Sequence, residues 1–190
     1  MYYVLKNAYD DQYVYVDNEP DVDNWDEVNE GLSLLEEWPD GLTMQYSDDN
    51  PEGMLLTDHI TNGVNWLIVS KKFKHSLEQL NLDYLEFLPV GFLDHKGREK
   101  KEPYWIVNFT KLVTAVDREQ SICKDSIDGT LDSFKKLVLT DEIEQNGPPI
   151  FCLEEQPTLF LFRQDYKEKL DKHGMTGFRL VPTREFKSID

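Results

Sequence analysis

The 190-residue chain has a net charge of −17 and is 39% hydrophobic, 12% aromatic and 30% charged. A chain this long can bury about 70% of its unfolded surface without metal or disulfide staples, and its composition excludes wholesale disorder. No apolar run reaches the roughly 18 residues of a membrane-spanning helix, and the negative field disfavours direct contact with nucleic acid or an anionic membrane.

The charge is uneven. Residues 1–60 hold 16 Asp or Glu against Lys6 alone, a balance of −15, which leaves −2 for the rest. Such a field attracts a cationic partner and speeds its association most at low salt. An acidic face that only aids solubility is the bland alternative. Two cysteines, Cys123 and Cys152, have no metal-ligand spacing, and "MYYVLKNAYDD" offers no secretory apolar stretch. A reduced cytoplasmic protein without cofactor is therefore expected.

In chain order, "YYVLKNAYDDQYVYVDN" gathers aromatic and β-branched residues around Asp10 and Asp11, which predicts a β-hairpin. In the next stretch Trp25, Val28, Leu32 and Leu35 fit one helical face, but Gly31 weakens a helix and "LSLLEEW" also suits a strand, so the segment stays unassigned. Leu42, Met44 and Tyr46 alternate with polar residues as a half-buried strand does. "EPYWIVNFTKLV", "FKKLVLTDEI" and "PPIFCLEE" are further strand candidates.

Residues 66–90 resemble residues 159–183 at a constant offset of 93. Trp66 to Val69 fall on Leu159 to Phe162, Phe73 on Tyr166, Leu77 on Leu170 and Pro89 on Pro182. Each copy reads as strand, amphipathic helix, strand. Ser70 suits the cap of the first helix, while Asn81 and its counterpart Gly174 suit left-handed positions past the helix ends. No long flexible linker interrupts the chain, so the expected architecture is a single α+β domain spanning 1–190, with a mixed sheet and two similar strand-helix-strand units. Strand pairing within the units is not fixed by the sequence.

Chemistry has no specific anchor. His59, His75, His95 and His173 are scattered, and no phosphate loop, nucleophile elbow or kinase-like signature is visible. A calcium loop starting at Asp17 would need glycine and glutamate where Val22 and Val28 stand; one starting at Asp21 finds Asp26 and Leu32. Paired carboxylates such as Glu36 with Glu37 mark no pocket. Trp25, Trp38 and Tyr46 are either core residues or anchors in an acidic binding surface. "AVDREQS" is the densest polar motif of the later chain. There Asp117 or Ser121 can bond free backbone groups, Arg118 can pair a carboxylate, and Glu119 completes the run.

The ordered motifs "NGVNWLIVSKKF", "LEFLPV", "YWIVN", "AVDREQS", "PPIFCL" and "GMTGFRLVP" resemble a family of bacterial immunity proteins from polymorphic toxin systems, immunity protein family eleven. The resemblance covers roughly residues 55–182. It implies a small cytoplasmic α+β protein, not an enzyme, that binds and neutralises a cognate toxin domain. The shared motifs read as core strands and helix starts, so the toxin-binding candidates lie outside them: Asp17, Glu19, Asp21, Asp23, Asp26, Glu27, Glu30, Glu36 and Glu37. The acidic balance favours a basic toxin. The alternative from another class is an acidic DNA-mimic or adaptor for basic proteins. Oligomeric state, the toxin's identity and its mode of inhibition are not legible.

Overall fold

Alternating apolar residues set the architecture. The computed structural model describes residues 1–23, 25–127 and 129–188. Its strands and helices run β1 (Tyr2–Asn7), β2 (Tyr15–Val16), β3 (Thr43–Gln45), β4 (His59–Asn62), β5 (Ile68–Ser70), α1 (Lys71–Glu78), β6 (Leu85–Leu93) and β7 (Tyr104–Phe109), then β8 (Ile122–Asp125), β9 (Leu131–Lys136), α2 (Asp141–Asn146), β10 (Ile150–Leu153), β11 (Gln156–Arg163), α3 (Gln164–Lys172) and β12 (Phe178–Pro182). The fold is α+β and mainly β, as expected. The chain divides into two compact units, one of residues 7–110 and 174–178, the other of residues 1–6, 111–173 and 179 onward.

In the first of these, six strands form a mixed sheet in the order β2-β4-β5-β7-β6-β3. The β2–β4 and β3–β6 pairs are parallel and the other pairs antiparallel. Ile68, Leu88, Val90, Phe92 and Ile106 share one apolar cluster with Val28, Leu34, Trp38 and Leu42, so the long β2–β3 connection covers that face of the sheet. On the other face α1 packs against β5 and β7, with Phe73 and Leu77 buried. The Lys74 ammonium lies 4.7 Å from the Phe87 ring centre and 5.1 Å from that of Trp105, both on this second face by the two-residue period.

The other unit holds a four-stranded sheet, β10-β11-β1-β12, and the β8–β9 pair. Its core joins Tyr2, Val4, Phe134, Phe151, Leu153, Leu161 and Phe186. Both cysteines are free thiols, with Cys152 buried.

The two strand-helix-strand units are present and share a topology. In β5-α1-β6 the two strands do not pair, because β7 stands between them; in β11-α3-β12 the intervening strand is β1. Ser70 caps α1 by accepting a hydrogen bond from the Phe73 amide at 3.2 Å. Arg163 takes the equivalent position and instead forks onto Asp165 at 2.8 and 3.0 Å. Past the helices, Asn81 (φ 50°) and Gly174 (φ 57°) are both left-handed.

Two local readings are corrected, and one segment left open by the sequence is resolved. Residues 2–18 do not form a hairpin: β1 pairs with β11, and β2 pairs in parallel with β4. Asp10 does make a turn, accepting from the Gln12 and Tyr13 amides, but burial of Tyr2 and Val4 in a distant core outweighs local pairing. "FKKLVLTDEI" is a strand only to Lys136; Thr140 then takes the helix N-cap conformation, with acidic residues in the first turn of α2. Trp25, Val28, Leu32 and Leu35 do not share a helical face, for Leu32 and Leu35 are exposed and left-handed Asn29 and Gly31 break the segment into turns.

Candidate partner-binding surface

The acidic β2–β3 connection is held down at intervals. Val28, Leu34 and Trp38 are buried, and Val22 and Trp25 pack partly on the same cluster. Between these anchors Asp17, Glu19, Asp21, Asp23, Asp26, Glu30, Glu36 and Glu37 are exposed, with Glu27 half-buried. No Lys, Arg or His occurs from residue 7 to residue 58, so the run carries no cation of its own. Apart from a short turn of 3-10 helix at Trp25–Glu27, the described residues of the connection have no regular secondary structure.

Part of its backbone bonds to local turns, and part to two side chains on the sheet. Glu86 accepts from the Leu34 amide at 3.0 Å and from the Ser33 hydroxyl at 2.5 Å. Asn108 accepts from the Asn29 amide at 2.9 Å and donates to the Leu32 carbonyl at 2.8 Å and to Glu86 at 3.0 Å. Asn29 closes the network by accepting from the Phe109 amide. The sequence held a signal for this network that pattern reading passed over. Glu86 falls in register with Leu88, Val90 and Phe92, and Asn108 with Ile106, so strand periodicity puts both polar groups on the buried face. Trp38 and Tyr46 are core residues, and the Trp38 indole donates to the Pro89 carbonyl.

Beside the start of this connection lies a cleft of about 570 Å³ lined by Asn7, residues 9–11, 13–15, Asp49, Asn50, 61–63 and Asn65. Its walls are braced. Asn50 donates to the Tyr13 carbonyl, the Ser47 amide to the Tyr15 carbonyl, and the Ser47 hydroxyl to Asp17. Asp10, Asp11 and Asp49 are its charged residues, and Tyr9, Tyr13 and Tyr15 supply aromatic surface. Burial first, then the charges of Asp17 and Asp49, push the Tyr15 phenol above its ordinary range. Sequence reading treated the Tyr9–Tyr15 stretch as hairpin and missed the cleft, although its alternation of Tyr and Asp was visible.

In the other unit, the Asp117 carboxylate accepts from the Glu119 and Gln120 amides, and hydrogen bonds from Gln120 are the first cause holding it below the ordinary carboxylate range. The Ser121 hydroxyl bridges the amide and carbonyl of Val138, and Arg118 meets Asp125 at 2.7 Å. These bonds tie the β7–β8 connection to the chain before α2. Among the described residues no group of three or more His, Cys, Asp or Glu side chains is placed to hold a metal ion, and no helix is long and apolar enough to cross a membrane.

The remaining resembling motifs occupy similar supporting positions. Asn62 bonds to both the amide and the carbonyl of Trp66, closing the β4–β5 turn. Gly177, at φ 89°, lies so near the His59 carbonyl that an added Cβ would come within 2.1 Å of its oxygen.

The model of the immunity protein family Imm11 matches residues 5–185. The chain belongs to that family. The match begins well before residue 55, so the family's span includes the acidic connection that the motif resemblance left out. No curated protein matches this Imm11 chain significantly. Membership implies immunity to a toxin, hence a toxin partner in general terms and an inhibitory role.

Proposed function

We propose that this Imm11 protein acts in the cytoplasm, binding and neutralising a cognate toxin of a polymorphic toxin system through the acidic β2–β3 connection. The observation that carries the reading is the fixed display of that connection: eight exposed carboxylates between buried apolar anchors, with no Lys, Arg or His from residue 7 to residue 58. Apolar anchoring lowers the ordering cost of association, and the uncompensated charge draws in a basic surface. A toxin that acts on nucleic acid would present such a surface. Inhibition is stoichiometric and needs no catalytic group.

The whole chain serves as one domain in this reading, supported by its four crossings between the two compact units. Residues Asp117, Arg118, Glu119 and Ser121 support the fold and do not meet the toxin. The test co-expresses this protein with the toxin encoded beside it. Wild type should restore growth and co-purify with the toxin at high salt. A chain that folds and restores no growth would end the immunity reading, whereas restored growth with all nine carboxylates neutralised would end the acidic-surface part.

A further inference from the structure

The cleft beside β2 has features that a solubility surface does not need. Its roughly 570 Å³ lies within the ordinary range for ligand pockets, and it is braced by bonds within the protein. Its charged groups are carboxylates alone. Tyr9 stands at the rim 84% exposed, where a phenol ring gains nothing from packing. Thr61, on the lining from β4, is only 7% exposed, and its hydroxyl makes no hydrogen bond among the described residues. Thr61 is thus a lining residue whose hydroxyl is free to pair with a group that enters the cleft.

We propose that this cleft receives an arginine side chain of the bound toxin, a proposal that rests on the immunity reading. A planar guanidinium matches each element of the lining: it stacks on tyrosine faces, bonds bidentately to a carboxylate, and donates to a hydroxyl oxygen such as that of Thr61. Lysine, a compact and strongly hydrated charge, satisfies the carboxylates but neither the stacking nor the fork geometry. Addition of a toxin strand beside β2 fits less well. The Val14 amide already donates to the Leu55 carbonyl, and the Tyr15 and Val16 carbonyls already accept from the Ser47 and Gly63 amides. The cavity exceeds one side chain, so the arginine enters from a loop whose backbone fills the mouth.

The test is an amide chemical-shift titration of the full chain with Nα-acetyl-arginine methylamide, its lysine analogue and its uncharged citrulline analogue. Saturable shifts confined to residues 9–15, 49–50 and 61–65 are expected with arginine, at least threefold weaker with lysine and absent with citrulline. Tyr9→Ala, and separately Asp10→Asn with Asp11→Asn and Asp49→Asn, should each weaken the arginine response at least threefold. These positions are exposed, and asparagine keeps the turn-forming oxygen of residue 10. Equal responses to arginine and lysine, or shifts spread along residues 17–37 and unmoved by the cleft substitutions, would overturn the arginine site. Growth protection reads the immunity function separately, so a chain that protects but lacks an arginine-selective site loses only this proposal.

Discussion

Glu86 and Asn108 are direct partners across β6 and β7, and their side chains meet at 3.0 Å on the buried face of the sheet. Together they bond the backbone of residues 29, 32 and 34, so two polar residues at core positions decide where the acidic connection runs. Removing either partner leaves buried polar groups unmatched. Asn108→Ala should cost about 2–4 kcal/mol by urea unfolding. The amides of Asn29 and Leu34 should exchange faster by native-state hydrogen exchange. Unchanged exchange at those amides would show that apolar anchors alone hold the connection.

His59 supplies a pH dependence. It is buried, its two ring nitrogens lie 3.0 Å from the Ile68 carbonyl and the Asn7 side chain, and burial pushes its pKa from 6.5 down to about 4. The folded state thus favours the neutral ring. This contribution is fully present above pH 6.5 and is lost as the pH falls toward 4, because the unfolded chain takes up the proton first. From pH 7.5 to pH 5 the loss should be about 2 kcal/mol, seen as a lower urea midpoint. His59→Gln should flatten that part of the profile.

Gly177 and Gly174 make an internal contrast. At Gly177 an added methyl would meet both the His59 carbonyl and the Thr57 side chain at a positive φ, and Gly177→Ala should cost more than about 2 kcal/mol. At Gly174 nothing lies within 4 Å and φ is 57°. Its counterpart Asn81 shows that asparagine accepts this conformation, so Gly174→Asn should cost less than about 1 kcal/mol. Thermal unfolding of both variants checks the pair.

For the acidic connection, Asp21, Asp23, Asp26, Glu36 and Glu37 changed together to Lys should slow toxin association roughly tenfold at low salt and flatten its salt dependence. Stopped-flow association at several salt concentrations reads this. The same five positions are exposed, so the fold should survive, and far-ultraviolet circular dichroism verifies it.

What the sequence determined by itself was whatever depends on near neighbours. The offset repeat foretold two strand-helix-strand units, because helix caps, left-handed ends and the i, i+4 apolar pairs of Phe73 with Leu77 and Tyr166 with Leu170 are local properties. Alternation likewise marked β3, and the ordered motifs pointed to the family. Tertiary structure decided the partners. The turn at Asp10 was legible, but not that β1 and β2 leave it for different sheets, since pairing follows the distant apolar faces available. The segment from Trp25 to Trp38 matched no period because it is a run of turns in which the backbone of residues 29, 32 and 34 bonds to Glu86 and Asn108, more than 50 residues away in sequence. The cleft was hidden for the same reason. Its lining joins residues 7–15 with 49–50 and 61–65, which the parallel pairing of β2 with β4 and the bonds from Ser47 and Asn50 to Tyr15 and Tyr13 bring together.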